Sequence, residues 1–448
     1  MTMKIWEKGI SVDQLIERFT IGDDAELDLQ LAPWDVIGTL AHIRMLAKVG
    51  LLDPEELPIL EKELRKIYQD IQAGNFQIEE GVEDIHSQVE LMLTRSLGEI
   101  GKKVHSGRSR NDQVLVDIKL FLRAEIEALC QGIEEVFELL LQLSHQYREV
   151  LLPGYTHLQI AMPSSFGLWL GAYAESLADD LLMLRAAYDL INQNPLGSGA
   201  GYGSSFPLDR QMTTDLLAFE DLNYNVVYAQ MGRGKVERNM SYALANLAAT
   251  IGKLAYDMTL YLNQNFGFIT FPDQFTTGSS IMPHKKNPDV WELTRARCNQ
   301  IQALPQEMLL ISNNLPSGYH RDFQLLKEHF FPALSHMKLV LTVLKKVLPE
   351  IQVNPRILED DKYAYLFTVE AVQQLVLQGL PFREAYQQVA RQLADGSYEA
   401  PRELDHSLAG GIHNLCHAEI RAKFQKVKEG FNFERVQGAL HKLLGERA

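Results

Sequence analysis

The feature that most constrains the fold is a long run of apolar residues at helical spacing in the middle of the chain. Beginning at Val236, apolar residues recur every three or four positions, at Met240, Leu244, Leu247, Ile251, Leu254, Met258 and Leu262. This spacing is that of one helix face, and the run is too long for an ordinary surface helix. Similar runs cover about 112–145, 166–191, 288–312 and 323–348. The sequence therefore predicts an all-α protein built on a bundle of long helices.

The segments on either side of these helices predict a division into three parts. Shorter helical patterns, interrupted by prolines and glycines, precede and follow the long runs. We expect an N-terminal helical domain over 1–107, a central bundle over 108–356 and a small helical domain over 357–448. Such long helices carry more apolar surface than one small domain can cover, so the bundle is expected to extend across subunits. A globular all-α domain without a subunit partner is the alternative.

Charge and cysteine content exclude several classes of protein. The 448 residues are 46% apolar, which is too apolar for a disordered chain. A net charge of −15 argues against a general nucleic-acid binder, so any bound anion needs a local basic pocket. The three cysteines are widely spaced, which favours a reducing cytoplasm over a disulfide framework or a metal cluster. The N-terminal segment is interrupted by charges and no apolar run reaches about 18 residues, so we expect neither secretion nor a membrane span.

The stretch HSGRSRNDQ, which precedes one of the long helices, is a candidate anion site. Arg108 and Arg110 stand two positions apart, and Asn111 or Asp112 is placed to cap the helix that follows. Guanidinium groups beside the free N–H groups of a helix start can bind a carboxylate. A solvated basic loop is the alternative interpretation.

Two further stretches lie at the joints between long helices. In PGYTHLQ, a predicted loop presents Thr156 and His157, and a histidine there can exchange protons near neutral pH. A structural histidine that makes a loop hydrogen bond is the alternative. The Gly- and Ser-rich stretch NPLGSGAGYGSS follows no strand, so it is not a dinucleotide-binding motif. It indicates a flexible loop or a close approach of backbone between helices.

The stretch TTGSSIMPHKKNPD concentrates polar groups before another long helix. Asn287 is expected to cap that helix, with Pro288 at its first position. Ser279 and Ser280 offer hydroxyls near Lys285, and a serine in such surroundings can be a nucleophile or a base. The spacing does not match the S-x-x-K motif of acyl-transfer enzymes. A flexible polar surface loop is the alternative.

Taken together, these stretches resemble the argininosuccinate lyase family of the fumarase/aspartase superfamily. GSSIMPHKKNPD is similar to the signature loop of the superfamily, while HSGRSRNDQV, EDIHSQVE and GYTHLQ narrow the resemblance to that family. WDVIGTLAHIRML, FTTGSSIMP and QGLPFREAY follow the family's order along nearly the whole chain. The resemblance implies an anti elimination of argininosuccinate to arginine and fumarate, in arginine biosynthesis. Proton transfer and fixed charge suffice for this reaction, so no metal or organic cofactor is expected.

The resemblance also implies a role for each residue that matches a family motif. Ser279 is the implied base, and Lys285 and Asn287 hold the negative charge that builds on the substrate carboxylate. His157 is the implied acid or binder of the leaving group on the opposite face, oriented by Glu292. The residues implied to bind the substrate are Asp28, His86, Arg110, Asn111, Thr156, Asn287, Tyr319, Gln324 and Lys327.

The family architecture implies a cytoplasmic homotetramer with active sites shared between subunits, and an N-terminal domain that supplies a substrate loop. The chain departs from the family pattern at Asp24, where a serine is usual, at His284 and at His320, and in its Gly-rich stretch. One alternative is another fumarate-releasing lyase such as adenylosuccinate lyase, which should lack the paired arginines followed by Asn-Asp-Gln. The other is a non-catalytic, crystallin-like structural protein on the same scaffold.

Overall fold

The computed structural model of the protein describes residues 14–401 and 404–446. The charged segment over 1–13, which contributed to the expectation against secretion, lies outside the described residues. The first part of the chain forms short helices: α1 (Gln14–Ile21), α2 (Asp24–Asp28), α3 (Ala32–Lys48), α4 (Leu57–Gln72), α5 (Ile85–Leu97) and α6 (Glu99–Lys102). Short 3-10 turns cover Leu29–Leu31 and Lys103–His105. Helix α3 is buried over most of its length because α4, α5 and the next long helix pack around it.

The central part contains the long helices that the apolar spacing predicts. The helices are α7 (Arg110–Gln146), α8 (Phe166–Ile191), α9 (Arg210–Leu216), α10 (Val226–Met231), α11 (Lys235–Leu262), α12 (Asp289–Ser312) and α13 (Leu325–Val347). Helix α11 packs along α8 and α12, while α7 packs along α8 and α13. One hydrophobic core runs through all five long helices. The all-α prediction is confirmed, with the ends of the long helices close to the predicted positions.

Short strands join some of these helices. Strands β1 (Leu151–Thr156) and β2 (Gln159–Ser165) form an antiparallel hairpin in which Leu151 faces Ser165 and Thr156 faces Gln159. Strands β3 (Gln193–Asn194) and β4 (Asp221–Leu222) pair in parallel, and β5 (Ile269–Thr270) pairs antiparallel with β6 (Gln352–Val353). The hairpin takes the place of the loop expected around His157.

The last part of the chain packs on both earlier parts. Its helices are α14 (Thr368–Leu377), α15 (Phe382–Asp395), α16 (His417–Lys428) and α17 (Phe433–Leu444), and 3-10 turns before them cover Ile357–Glu359 and Asp361–Tyr363. In the central part, 3-10 turns cover Asp273–Phe275, Arg321–Gln324 and Leu348–Glu350. Phe424 of α16 stacks on Phe137 of α7 with ring centroids 4.1 Å apart, and Leu443 joins the core of the N-terminal helices. The division at residues 107 and 356 stays a prediction. Among the described helices, none is both long and apolar enough to cross a membrane.

Candidate active site

An open cleft of about 740 Å³ brings together side chains from distant parts of the chain. The substrate-binding residues predicted from the sequence that line it are Asp28, His86, Arg110, Asn111, Tyr319, Gln324 and Lys327. Its other lining residues are Asp24, Glu83, Asp84, Val114, Arg233 and Arg321. The walls therefore come from α2, from the start of α5, from the first turns of α7, from the turn before α11, and from the start of α13 with the segment that leads into it.

The first turn of α7 carries Arg110 and Asn111 into the cleft, and a capping box fixes it. The Ser109 hydroxyl accepts a hydrogen bond from the Asn111 N–H at 3.2 Å, and the Asp112 carboxylate accepts one from the Ser109 N–H at 2.8 Å. The expectation that Asn111 or Asp112 caps the helix is wrong, because Ser109 is the N-cap residue and Asp112 completes the box from inside the helix.

The same Asp112 carboxylate ties α7 to the Gly-rich stretch. Its second oxygen accepts hydrogen bonds from the N–H groups of Gly197 and Gly199, at 3.0 and 2.9 Å. Both glycines have positive φ angles, of 84° and 60°, which residues other than glycine rarely adopt. Of the two interpretations of this stretch, the structure shows the close approach of backbone.

Substitution of Asp112 by alanine is expected to lower the free energy of unfolding by about 2 to 3 kcal/mol. Asp112 is fully buried and three backbone N–H groups lose their acceptor, although relaxation of the loop lets some of them reach water. Urea unfolding measures the loss, with Ser109→Ala as the control, which removes only a cap and costs about 1 kcal/mol. Equal losses in the two variants would contradict the second role of Asp112.

Lys327 lies between two carboxylates at one end of the cleft. Its ammonium donates a hydrogen bond to Asp28 and lies 2.5 Å from an oxygen of Asp24. Lys327 and Asp28 are both 3% exposed. Burial raises the pKa of Asp24 above its ordinary value, although Lys327 beside it acts in the opposite direction. The carboxylate of Asp24 therefore has the chain's own lysine as its partner.

Two guanidinium groups of the cleft, those of Arg110 and Arg321, are held by acidic side chains of the segment before α5. Arg110 forms ion pairs with Glu83, at 3.2 Å, and with Asp84. Arg321 donates to the other oxygen of Glu83 at 3.0 Å, and to the backbone carbonyl of Thr20 at 3.2 Å. These contacts fix both cations at the cleft, where they can bind an anion bidentately.

His86 lies against the cleft and is paired on its inner side with two buried carboxylates. Its Nδ1 lies 2.7 Å from Asp35 and 3.5 Å from Asp117. Burial alone lowers the pKa of His86, but Asp35, Asp117 and Asp28 together outweigh that effect and raise the pKa to about 9. Asp35, His86 and Asp117 have the spacing of a metal-ligand group. An imidazolium has no lone pair for a metal, so the raised pKa of His86 favours a charge network of the three side chains.

The predicted acid lies at the tip of the hairpin between β1 and β2. His157 and Leu158 form its two-residue turn with φ values of 55° and 57°. Two consecutive left-handed residues match the twist of a hairpin, but outside glycine, asparagine and aspartate they are strained. Thr156 and His157 are exposed, so this strained tip presents the imidazole to the surroundings.

The predicted base lies on the loop between β5 and α12. The Ser279 hydroxyl oxygen accepts hydrogen bonds from the N–H groups of Met282, at 3.2 Å, and of Ile281, at 3.4 Å. Asn287 closes the loop, because its backbone pairs with Thr277 and its side chain donates to the Gly278 carbonyl at 3.1 Å. Lys285 is exposed on the same loop. The hydroxyl is thus oriented by the loop's own backbone.

The helix after this loop starts one residue later than expected. Pro288 is the N-cap residue and makes no side-chain cap, and Asn287 is engaged inside the loop. The cap expected at Asn287 is therefore wrong. Glu292 follows in the first turn of α12 and is exposed.

The predicted residues thus occupy three places in one chain. The first is the cleft. The second is the hairpin tip, with Thr156 and His157. The third is the loop before α12 together with the first turn of that helix, with Ser279, Lys285, Asn287 and Glu292. None of these six lines the cleft formed by the described residues. Sequence reasoning gave no role to Glu83, Asp84, Arg233 or Arg321, which do line it. The first two belong to EDIHSQVE, and Arg321 lies two positions after Tyr319, so the stretches already singled out contained three of these four residues.

Comparisons with known proteins first define the class. A family model described as "Lyase" matches residues 7–303. A crystal structure of EDDS lyase aligns with a TM-score of 0.77 at 21% identity, over 97% of this chain and 95% of its own. A class II fumarase from Schistosoma mansoni aligns with a TM-score of 0.68 at 15% identity, over 94% of this chain and 91% of its own. The fold is that of the fumarase/aspartase superfamily, and the chain is a lyase.

Sequence relatives then define the family. A protein named argininosuccinate lyase from Bacteroides fragilis is 58% identical over 447 residues, which are 100% of both chains. One of the same name from Parabacteroides distasonis is 58% identical over 99% of this chain and 100% of its own. Another from Thermotoga neapolitana is 37% identical over 87% of this chain and 98% of its own. The chain belongs to the argininosuccinate lyase family.

Proposed function

We propose that the protein cleaves argininosuccinate by anti elimination into arginine and fumarate, as a step of arginine biosynthesis. The observation that carries the proposal is the cleft, where predicted substrate-binding residues from Asp28 to Lys327 lie together. It has cations on one wall, Arg110 and Arg321, and the Asp24–Lys327–Asp28 cluster on another. Argininosuccinate carries carboxylates at its succinyl end and a guanidinium in the middle, so it needs both kinds of partner.

In this proposal the succinyl carboxylates are bound by Arg110, Asn111, Thr156 and Asn287. Tyr319, Gln324 and Lys327 contact the substrate, and Asp28 lies near its arginine end. The guanidinium of Arg110 is exposed enough to exchange part of its pairing with Glu83 for a substrate carboxylate. Binding the substrate in this way fixes the C–H bond that must break relative to the base.

The chemical step needs a base, a group that stabilises negative charge and a group at the leaving nitrogen. Ser279 removes the proton beside the carboxylate, and Lys285 and Asn287 stabilise the aci-carboxylate that develops. The backbone N–H groups of Ile281 and Met282 that contact the Ser279 hydroxyl favour its deprotonated form. On the opposite face His157, oriented by Glu292, meets the leaving arginine nitrogen, because anti geometry separates the two groups.

We further propose that the protein works in the cytoplasm as a homotetramer, and that each active site combines loops of neighbouring subunits. This proposal is supported by the exposed positions of the hairpin tip and the Ser279 loop, which line no common cleft with Arg110 in the described chain. The domain division at residues 107 and 356 belongs to the same proposal. We also propose that the N-terminal domain supplies a substrate loop, and that neither nucleic acid nor a membrane is a partner of the protein.

The reaction is tested by adding argininosuccinate to the purified protein and following the ultraviolet absorbance of fumarate. We expect fumarate and arginine in equal amounts. Adenylosuccinate, offered in parallel, should give none. Fumarate from adenylosuccinate alone would overturn the proposed substrate.

The shared site is tested by mixing two inactive variants, His157→Ala and Ser279→Ala, as co-expressed chains. If His157 and Ser279 of one site come from different subunits, about a quarter of the sites in a one-to-one mixture regain both wild-type residues. Activity should therefore return to roughly a quarter of the wild-type value. The measurement is the fumarate assay on the purified mixture.

The control for this experiment is a mixture of Ser279→Ala with Lys285→Met. Both residues lie on one loop, so every site takes them from the same chain and no site is restored. Recovery in this control, or none in the first mixture, would contradict the division of the site between subunits.

A further inference from the structure

Two buried carboxylates on the inner side of the cleft, Asp35 and Asp117, have no role in the proposed mechanism, and both lie against His86. Asp35 comes from the first turn of α3, His86 from the first turn of α5 and Asp117 from α7. Asp35 and Asp117 are each 1% exposed and His86 is 7% exposed. Three helices that are distant in sequence therefore converge on one imidazole at the cleft wall.

The contacts of this network assign a charge to the ring. Nδ1 of His86 is 2.7 Å from Asp35, which requires a proton on that nitrogen. One oxygen each of Asp35 and Asp117 accepts no hydrogen bond within the described part of the chain. Arg108 also acts on Asp35, but a positive ring is what places a compensating charge in direct contact with this buried carboxylate, and burial without such a contact is strongly unfavourable. The ring is therefore held with protons on both nitrogens.

The surroundings of the ring define what else acts on it. Arg108 is buried nearby and donates to the Thr39 hydroxyl at 2.8 Å and to the Val104 carbonyl at 3.2 Å. The charged and titratable groups that act on this network are Asp28, Glu90, His105 and Arg108, in addition to Asp35 and Asp117. His105 opposes the positive ring, whereas the carboxylates of Asp35, Asp117 and Asp28 favour it. Asp35 makes the shortest contact and is the dominant partner.

Because Nδ1 of His86 is hydrogen-bonded to Asp35, Nε2 is the ring nitrogen that can bind a group in the cleft. His86 lines that cleft together with Arg110 and Asn111 of the next helix. A second N–H on a positively charged ring is a strong donor to a carboxylate. This donor has a fixed direction, since both the ring and its partner are buried.

We propose that Asp35, supported by Asp117, is a positioning residue that keeps His86 doubly protonated and aims its second N–H at a substrate carboxylate. The inference rests on the proposed assignment of His86 to the substrate site. Beyond that assignment, it gives the His86 ring a positive charge and names its second N–H as the donor to the substrate. It also gives a role to Asp35 and Asp117, which act through His86 without touching the substrate.

The test uses succinate, an unreactive dicarboxylate whose own charge is constant above neutral pH. Its binding to the intact protein is measured by calorimetry from pH 6.5 to 9.5, so the result does not depend on turnover. In the wild type we expect affinity to be constant to about pH 8 and to fall with a midpoint near 9, where the pKa of His86 lies. His86→Gln should bind about tenfold more weakly at pH 7 and lack this fall.

The decisive variant is Asp35→Asn, whose amide oxygen can still accept the hydrogen bond but carries no charge. Its affinity should fall at lower pH, with a loss of about tenfold between pH 6.5 and 8 that the wild type does not show. Asp117→Asn should shift the midpoint in the same direction by less. A wild-type fall that persists in His86→Gln would overturn the proposal, as would an Asp35→Asn profile identical to that of the wild type.

The chain offers a control in a second histidine–carboxylate pair whose carboxylate is buried. His406 lies 2.8 Å from Glu370, which is 4% exposed, and neither residue lines the cleft. Glu370→Gln should leave the succinate profile unchanged, and a change as large as that of Asp35→Asn would mean a general effect on folding and overturn the proposal. Fumarate release from argininosuccinate is measured on the same wild-type sample. Its absence would count against the proposed function alone, because succinate binding tests the network independently.

Discussion

Ser279→Ala is expected to lower kcat by about 10³-fold, while argininosuccinate still binds. Alanine removes the only group assigned to take the proton beside the carboxylate, and it leaves the cleft residues unchanged. The loop should keep its shape, because the pairing of Thr277 with Asn287 and the turn from Met282 to Lys285 do not involve the hydroxyl. The measurement is fumarate absorbance under saturating substrate, with binding of argininosuccinate to the inactive variant followed by calorimetry.

Ser280→Ala is the matched control for this prediction. The two serines are adjacent on one loop, but the backbone N–H groups of Ile281 and Met282 are directed at the hydroxyl of Ser279. We expect Ser280→Ala to retain kcat within about threefold, since a residue without a part in the transition state contributes little to it. A larger loss in Ser280→Ala than in Ser279→Ala would move the role of base to the neighbour.

Lys327→Met is expected to lower the free energy of unfolding by about 3 to 5 kcal/mol, the second large effect. The methionine keeps most of the volume but leaves the carboxylates of Asp24 and Asp28 without their shared cation in a buried site. Adding Asp24→Ser to this variant should restore part of the loss, because one uncompensated carboxylate is removed. Thermal or urea unfolding at equal protein concentration gives the difference, and the assay should show weaker substrate binding as well.

The control is Lys345→Met, which breaks another lysine–carboxylate pair on the same helix. Lys345 pairs with Glu135, but the two side chains are 36% and 40% exposed, so we expect a change of less than about 1 kcal/mol. The contrast isolates burial as the cause. If Lys327→Met cost no more than Lys345→Met, the cluster at the cleft would be a solvated ion pair and its proposed role would fail.

The long helices could be predicted because their signal is local and repeated. Apolar residues at steps of three and four between Val236 and Leu262 define a helix whatever packs against it. The motif residues that meet in the cleft could be named from the resemblance, although no pattern in the sequence shows that Asp28 and Lys327 touch. The roles assigned to these residues stay predictions.

Other features could not be predicted because they depend on contacts between distant segments or on backbone strain. His157 and Leu158 are not residue types that indicate a left-handed turn, so the hairpin looked like a loop. The pair of Asp35 with His86 joins positions 51 apart, and only the packing of α3 against α5 brings them together. The sequence does not identify Ser109 as the N-cap residue, because Asn111 and Asp112, just after it, are also common capping residues.

The hydrogen bonds that Gly197 and Gly199 donate to Asp112 also affect the order in which parts of the chain fold during synthesis. They join residues 85 and 87 positions apart. At ribosomal rates of about 5 to 20 residues per second, the acceptor is synthesised roughly 4 to 17 seconds before its donors. During that interval the carboxylate has only the local bond to Ser109, and the first turn of α7 frays readily. Arg110 and Asn111 therefore reach their final positions late, so a nascent chain has α7 and α8 before it has an ordered binding surface.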